Sequence, residues 1–240
     1  MFDRLRERGF TILYQSHAEA ILEKDFPIAA DEMESALEGI EVPITEIIGS
    51  GGGEAKGTQR MRRSLADLGW RKINFEIKKI VNGVEREAIS HEIDHVKSFP
   101  KGVVALEIEW NNKDPFFDRD LENFKRLHAE GAISIGVIVT RHSTLHEGMY
   151  DFVLRFAREQ NIASFDDLAR LEIVPTPKQR QEIAKRVSRT KDPVEFAVAW
   201  TDKFVAQLSR TASFAPRGAL AGHLGWRRVR ARLPPPLVFV

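Results

Sequence analysis

The sequence predicts an α/β fold: a mixed central sheet of about four to six strands flanked by helices. Three observations carry this. Asn82-Gly83 sits inside "KINFEIKKIVNGVEREAISHEIDHV" and marks a hairpin between two strand-like runs. "GVVALEIEW" (102–110) follows as a third strand. "AISIGVIVT" (132–140) is a continuous apolar run, the pattern of a buried, parallel strand.

The other elements follow in order. "SHAEAILEKDF" opens with a capping box, Ser16 to Glu19, and reads as a helix. "AADEMESALEGI" (29–40) reads as a second helix. "GSGGGEAKGT" (49–58) is a glycine-rich loop. "TQRMRRSLADLGW" sets Met61, Leu65 and Leu68 on one helix face and Arg60 and Arg63 on another. "PFFDRDLENFKRLHAEG" has Phe117, Leu121 and Phe124 at helical spacing and stops at Gly131. "TLHEGMYDFVLRFAREQ" keeps Leu145, Met149, Phe152 and Phe156 in phase. Three helix starts come next: Ser164/Asp167, Thr176-Pro177/Gln179 and Asp192-Pro193/Glu195. The tail "GWRRVRARLPPPLVFV" is out of character and reads as a docking arm or an unstructured end. The expected organisation is one domain of 240 residues, with helices in 1–48, a catalytic core in 49–141 and a helical part with a basic tail in 142–240.

Composition narrows the chemistry. There is no cysteine, which excludes disulfides, a thiolate nucleophile and a cysteine zinc site. The apolar runs fall well short of a bilayer span, and "MFDRLRERGF" lacks the core of a secretion signal. A cytoplasmic protein with no membrane partner is expected. Net charge is only +1, so any affinity for nucleic acid must be local. Between Lys56 and Lys72, six basic residues face one acid, Asp67. After Asp202 there are several arginines and no acid.

The strand "VVALEIEW" carries two carboxylates. Residues two apart in a strand share a face, so Glu107 and Glu109 project together. Like charges this close disfavour joint ionisation, and a divalent cation removes the conflict. Hard oxygen donors suit magnesium. Asp94, read as the end of the preceding strand and joined to this one by a short turn, can supply a third carboxylate where the two strands are adjacent. An E-x-E strand alone is commonly a solvated sheet face. Here the strand is otherwise apolar, and an amphipathic helix and a buried strand follow it.

"IDHVKSFPKGVVALEIEWNNKDPFFDRDLENFKRL" followed by "AISIGVIVTR" resembles the BglII-type branch of type II restriction endonucleases, within the PD-(D/E)XK nuclease superfamily. The acid at the last motif position is similar to the BamHI layout. The resemblance spans roughly residues 50–141 and implies a restriction-endonuclease-like core. It implies a homodimer that cuts short palindromic sites in double-stranded DNA and leaves 5′-phosphates, with Mg2+ as cofactor and Mn2+ able to substitute. A cognate DNA methyltransferase is then expected in the host. Asp94 matches the first motif aspartate and Glu107 the second motif acid. Glu109 stands where the wider family has lysine and the BglII enzymes have glutamine. Asp94, Glu107 and the main-chain carbonyl of Ile108 would hold the metal, and Glu109 would bind it or prepare the attacking water.

Lys56, Gln59, Arg60 and Arg63 are candidate DNA contacts on the basic helix, as are Lys113 beyond the third strand and Arg141 at the end of the fourth. His91 and His95 flank the motif and read as surface or DNA-proximal side chains rather than ligands. Two rival readings are a non-catalytic DNA-binding protein on the same fold and a structure-specific repair nuclease.

Overall fold

The computed structural model describes residues 1–40, 43–48, 56–109, 114–141, 147–211 and 236–239. The chain divides into two compact units. The first comprises Met1–Ile40, Gly57–His142 and Pro235–Val240, and the second Glu41–Lys56 and Ser143–Pro234.

The first unit is built on a six-stranded sheet. Its strands are β1 (Thr11–Leu13), β2 (Arg71–Val81), β3 (Val84–Phe99), β4 (Gly102–Glu109), β5 (Ile135–Arg141) and β6 (Pro236–Phe239). The spatial order is β1-β6-β5-β4-β3-β2. The β1/β6 and β4/β5 pairs are parallel and the others antiparallel, so the sheet is mixed as the sequence predicts.

The hairpin signal is met at its turn. Val81 pairs with Val84, and Asn82 and Gly83 have φ of 52° and 76°, the two positive values a type I′ turn requires. β3 returns into β4 through Pro100 and Lys101, with Phe99 opposite Gly102. The parallel β4 and β5 need a crossover, which α6 (Asp114–Ala129) provides. This helix lies very close to the sheet. A Cβ built on Gly136 of β5 would come within 2.5 Å of the Phe124 ring of α6. Phe124 and Leu127 complete a core with Ile93, Val96, Ala105 and Ile138.

Four further helices belong to this unit: α1 (Asp3–Glu7), α2 (Ala18–Asp25), α3 (Pro27–Glu38) and α5 (Lys56–Asp67), the last beginning one residue before the unit's boundary. Glu34 of α3 is buried and fully engaged. Its carboxylate accepts from the Arg4 backbone amide at 3.0 Å and from Arg4 Nε at 3.1 Å, fixing α1 to α3.

The second unit holds α4 (Ile44–Ile48), α7 (Met149–Glu159), α8 (Phe165–Arg170), α9 (Pro177–Val187) and α10 (Phe196–Thr211). Val153, Leu168, Ile183 and Trp200 lie in its core. Two predicted starts form. Ser164 accepts from the Asp167 amide, and Thr176 with Gln179 makes a full capping box.

Several expectations are corrected. The Ser16–Glu19 box does not form, because Ser16 and His17 are left-handed (φ 51° and 66°) where a cap needs extended backbone. Asp192 is also left-handed (φ 63°), and α10 begins later, at Phe196. The loop predicted over 49–58 is helical from Lys56, while residues 49–55 lie outside the described residues. Leu68 falls beyond the end of α5, and Trp70 fills the buried position instead. β1 is a strand that the reading of residues 1–48 as helices lacks. Residues 236–239 of the tail are no arm: they insert as β6 between β1 and β5, with Leu237 opposite Thr11 and Val238 opposite Val139. The arginine-rich part of the tail lies outside the described residues. Among the described residues no helix is long and apolar enough to cross a membrane.

Candidate active site

The β3–β4 hairpin sets Asp94 against the two glutamates. His95 pairs with Leu106, so Asp94 stands one step further, opposite Glu107. The Asp94 backbone amide donates to Glu107 Oε1 at 3.3 Å. Asp94 does not end its strand as the sequence reading has it. It sits in a β-bulge: β2 advances from Arg71 to Ile73 while its partners on β3 run from Val96 to Ile93, an extra residue on β3. Bulges re-aim side chains and recur beside active sites. Ile108, between the glutamates, pairs with Val139 and points its side chain to the opposite face.

Both glutamates are buried, with 7% of Glu107 and 9% of Glu109 exposed, so this is no solvated sheet face. Burial, and then the Asp94 charge, push the Glu107 carboxyl up to about 8. Burial also pushes Glu109 up, and a facing carboxyl, Asp120, pushes it further.

Asp120 is a member of this cluster that sequence reasoning missed. It lies on α6 and is 1% exposed. Arg119 holds its Oδ1 through two nitrogens at 3.0 and 2.9 Å. Among the described residues Asp120 Oδ2 and Glu109 Oε2 are both buried with no donor to meet them. The signal was present: Asp120, Phe124 and Leu127 follow helical spacing, so the aspartate stands on the apolar stripe. Lys72 was also missed. Its ammonium lies 2.9 Å from Asp94 Oδ1 and 2.7 Å from Glu92 Oε1, and hydrogen bonds to these two acids hold it protonated well above its usual range.

The remaining candidates are spread out. Lys56 and Arg63 are exposed on α5, and Gln59 and Arg60 are half-buried there. α5 leads into β2, the strand that carries Lys72. Lys113 and the Arg141 side chain lie outside the described residues. His91 is half-buried, with the Asn123 amide nitrogen 3.0 Å from its ring, and burial lowers its pKa. His95 is not a surface residue: it is 3% exposed, with Nδ1 3.2 Å from the Leu106 carbonyl.

A hard divalent cation suits these donors. They are all oxygen, Glu107, Glu109 and Asp120 are buried while Asp94 is partly exposed, and among the described residues two carboxylate oxygens lack a donor. Glu34, equally buried, shows the contrast, because its oxygens are taken by Arg4. Among the described residues no three Asp, Glu or His side chains stand at metal-holding spacing. Asp94 is turned to Lys72, and the acids repel one another.

Searches of curated proteins and of solved structures returned no match. A family model described as Restriction endonuclease BglII/BglIII matches residues 10–215, which reach into both units and include every described member of the acid cluster. The chain belongs to the BglII/BglIII restriction endonuclease family.

Proposed function

We propose that this chain is a Mg2+-dependent, sequence-specific endonuclease of the type II class that hydrolyses double-stranded DNA and leaves 5′-phosphates. One observation carries the reading: two buried glutamates share a face of β4, opposite Asp94, and Glu109 Oε2 meets no donor among the described residues. A protein has no folding reason to bury such a pair. Asp94 and Glu107, with the Ile108 carbonyl, would hold the metal. When bound, Mg2+ lowers the pKa of a coordinated water and neutralises charge on the phosphate. Glu109 orients the attacking water. Lys72, which now pairs with Asp94, would leave that carboxylate to the metal and could itself contact a phosphate oxygen. Lys56, Gln59, Arg60 and Arg63, with Lys113 and Arg141, neutralise phosphates and reach base edges.

The test is incubation of bacteriophage DNA with the purified chain and Mg2+, followed by sequencing of the fragment ends. The expected result is a sharp fragment ladder with 5′-phosphates at one short sequence. Mn2+ supports cutting, Ca2+ supports binding without cutting, and Asp94→Asn abolishes cutting while retaining the fold. Cutting by Asp94→Asn at the wild-type rate sinks the assignment, and cutting only at flaps or junctions favours a repair nuclease.

A further inference from the structure

We propose that Glu109 and Asp120 together form a second divalent-cation position beside the Asp94–Glu107 pair. The proposal rests on the nuclease reading and adds to it a ligand from α6. Asp120 is 1% exposed, and its Oδ2 has no donor among the described residues. Glu109, whose carboxyl lies within hydrogen-bonding reach of Asp120, has an Oε2 that meets no donor among the described residues either. Two carboxyls within hydrogen-bonding reach therefore meet as two acceptors. Only a proton or a cation between them resolves this.

Arg119 holds Asp120 through Oδ1, and Oδ2 is left without a donor among the described residues. Lys72 does not either, since its ammonium is engaged by Asp94 and Glu92. A cation held by Asp94 and Glu107 still leaves the second pair unsatisfied. Mg2+ and Mn2+ sites commonly take one or two carboxylates and complete their shell with water and phosphate. Glu109 and Asp120 supply that protein share. The placement is also rigid. Glu109 lies on a central strand, and α6 is seated by Phe124 directly over Gly136.

The experiment titrates the metal-free full-length chain with Mn2+ alone, read by electron paramagnetic resonance and calorimetry, without DNA. Glu109→Gln and Asp120→Asn are compared with wild type and with Asp94→Asn. Circular dichroism melts confirm that each variant folds. The proposal expects Glu109→Gln and Asp120→Asn each to lose the same Mn2+ equivalent, or to weaken it by at least about tenfold. Asp94→Asn should lose a different one, and Asp94→Asn/Asp120→Asn should bind none. An Asp120→Asn variant that binds as many equivalents as wild type, with affinities unchanged within about twofold, overturns it. The two readings fail separately. Wild type that binds Mn2+ in this pattern but cuts no DNA sinks the nuclease reading alone, whereas unchanged Mn2+ binding by Asp120→Asn in a chain that cuts DNA sinks this one alone.

Discussion

Glu34 and Glu107 are both buried acids, and they differ in what meets them. Glu34 accepts from Arg4 and a helix-terminal amide, so its charge supports the fold. Among the described residues Glu107 receives one long amide contact, and it faces Asp94. Its carboxyl stands at about 8, whereas the unfolded chain returns it to about 4.5. Between those values the folded chain holds a proton that the unfolded chain does not. Linkage then makes stability fall as pH rises through this window. Glu107→Gln removes the titrating group. In a chelator, the variant should melt above wild type at pH 9, by on the order of a few kcal/mol in stability. The gap should close towards pH 4.5. Thermal melts across pH read this directly. A variant that melts below wild type at pH 9 would show that the Glu107 charge is satisfied within the protein.

Strand and helix placement decide which acids meet. The glutamates were legible because strand periodicity puts 107 and 109 on one side. Asp94 was legible as an acid one strand away. Its bulge was not, because an extra residue on β3 is defined only by register against β2. Asp120 was passed over because an aspartate in a helix reads as solvent-facing, although Phe124 and Leu127 share its stripe. Seating α6 is therefore part of building the site. Gly136→Ala would set a Cβ 2.5 Å from the Phe124 ring and lift α6 from β5. It should destabilise the chain by roughly 1–3 kcal/mol and slow cleavage further than its folded fraction explains. Trimming the ring with Phe124→Leu should restore part of both, since the two sites share one contact. Chemical denaturation and cleavage rates check this, and an unchanged denaturation midpoint would refute it. α5 makes a separate claim. Arg63 is exposed on it. Arg63→Ala should make the slope of log affinity against log salt shallower by about one unit. An unchanged slope in a filter-binding or anisotropy titration would mean that this face does not meet DNA.

At the scale of the molecule, the two chain ends meet in one sheet: β6, from the last residues, pairs with β1, from the first. Local pattern could not foresee this, because a four-residue strand after a proline triplet looks like a loose end. The acid cluster raises a second question of scale. Among the described residues each chain carries one such cluster, on β3, β4 and α6. The two strands of a duplex run in opposite directions, so one cluster cannot address both scissile phosphates in a single geometry. Two chains related by a two-fold axis can, and each then reads one half of a palindrome. The protein should therefore sediment on cognate DNA as a dimer of twice the 27.3 kDa chain. Its cut sites should align to one short palindrome. Mixing wild-type chains with excess Asp94→Asn chains gives a further readout. Most wild-type chains then sit in dimers with a single competent cluster, and the products should shift from double-strand breaks to nicks. A monomer on DNA by analytical ultracentrifugation, with double-strand breaks undiminished in the mixture, would mean that one chain cuts both strands and that the two-fold reading is wrong.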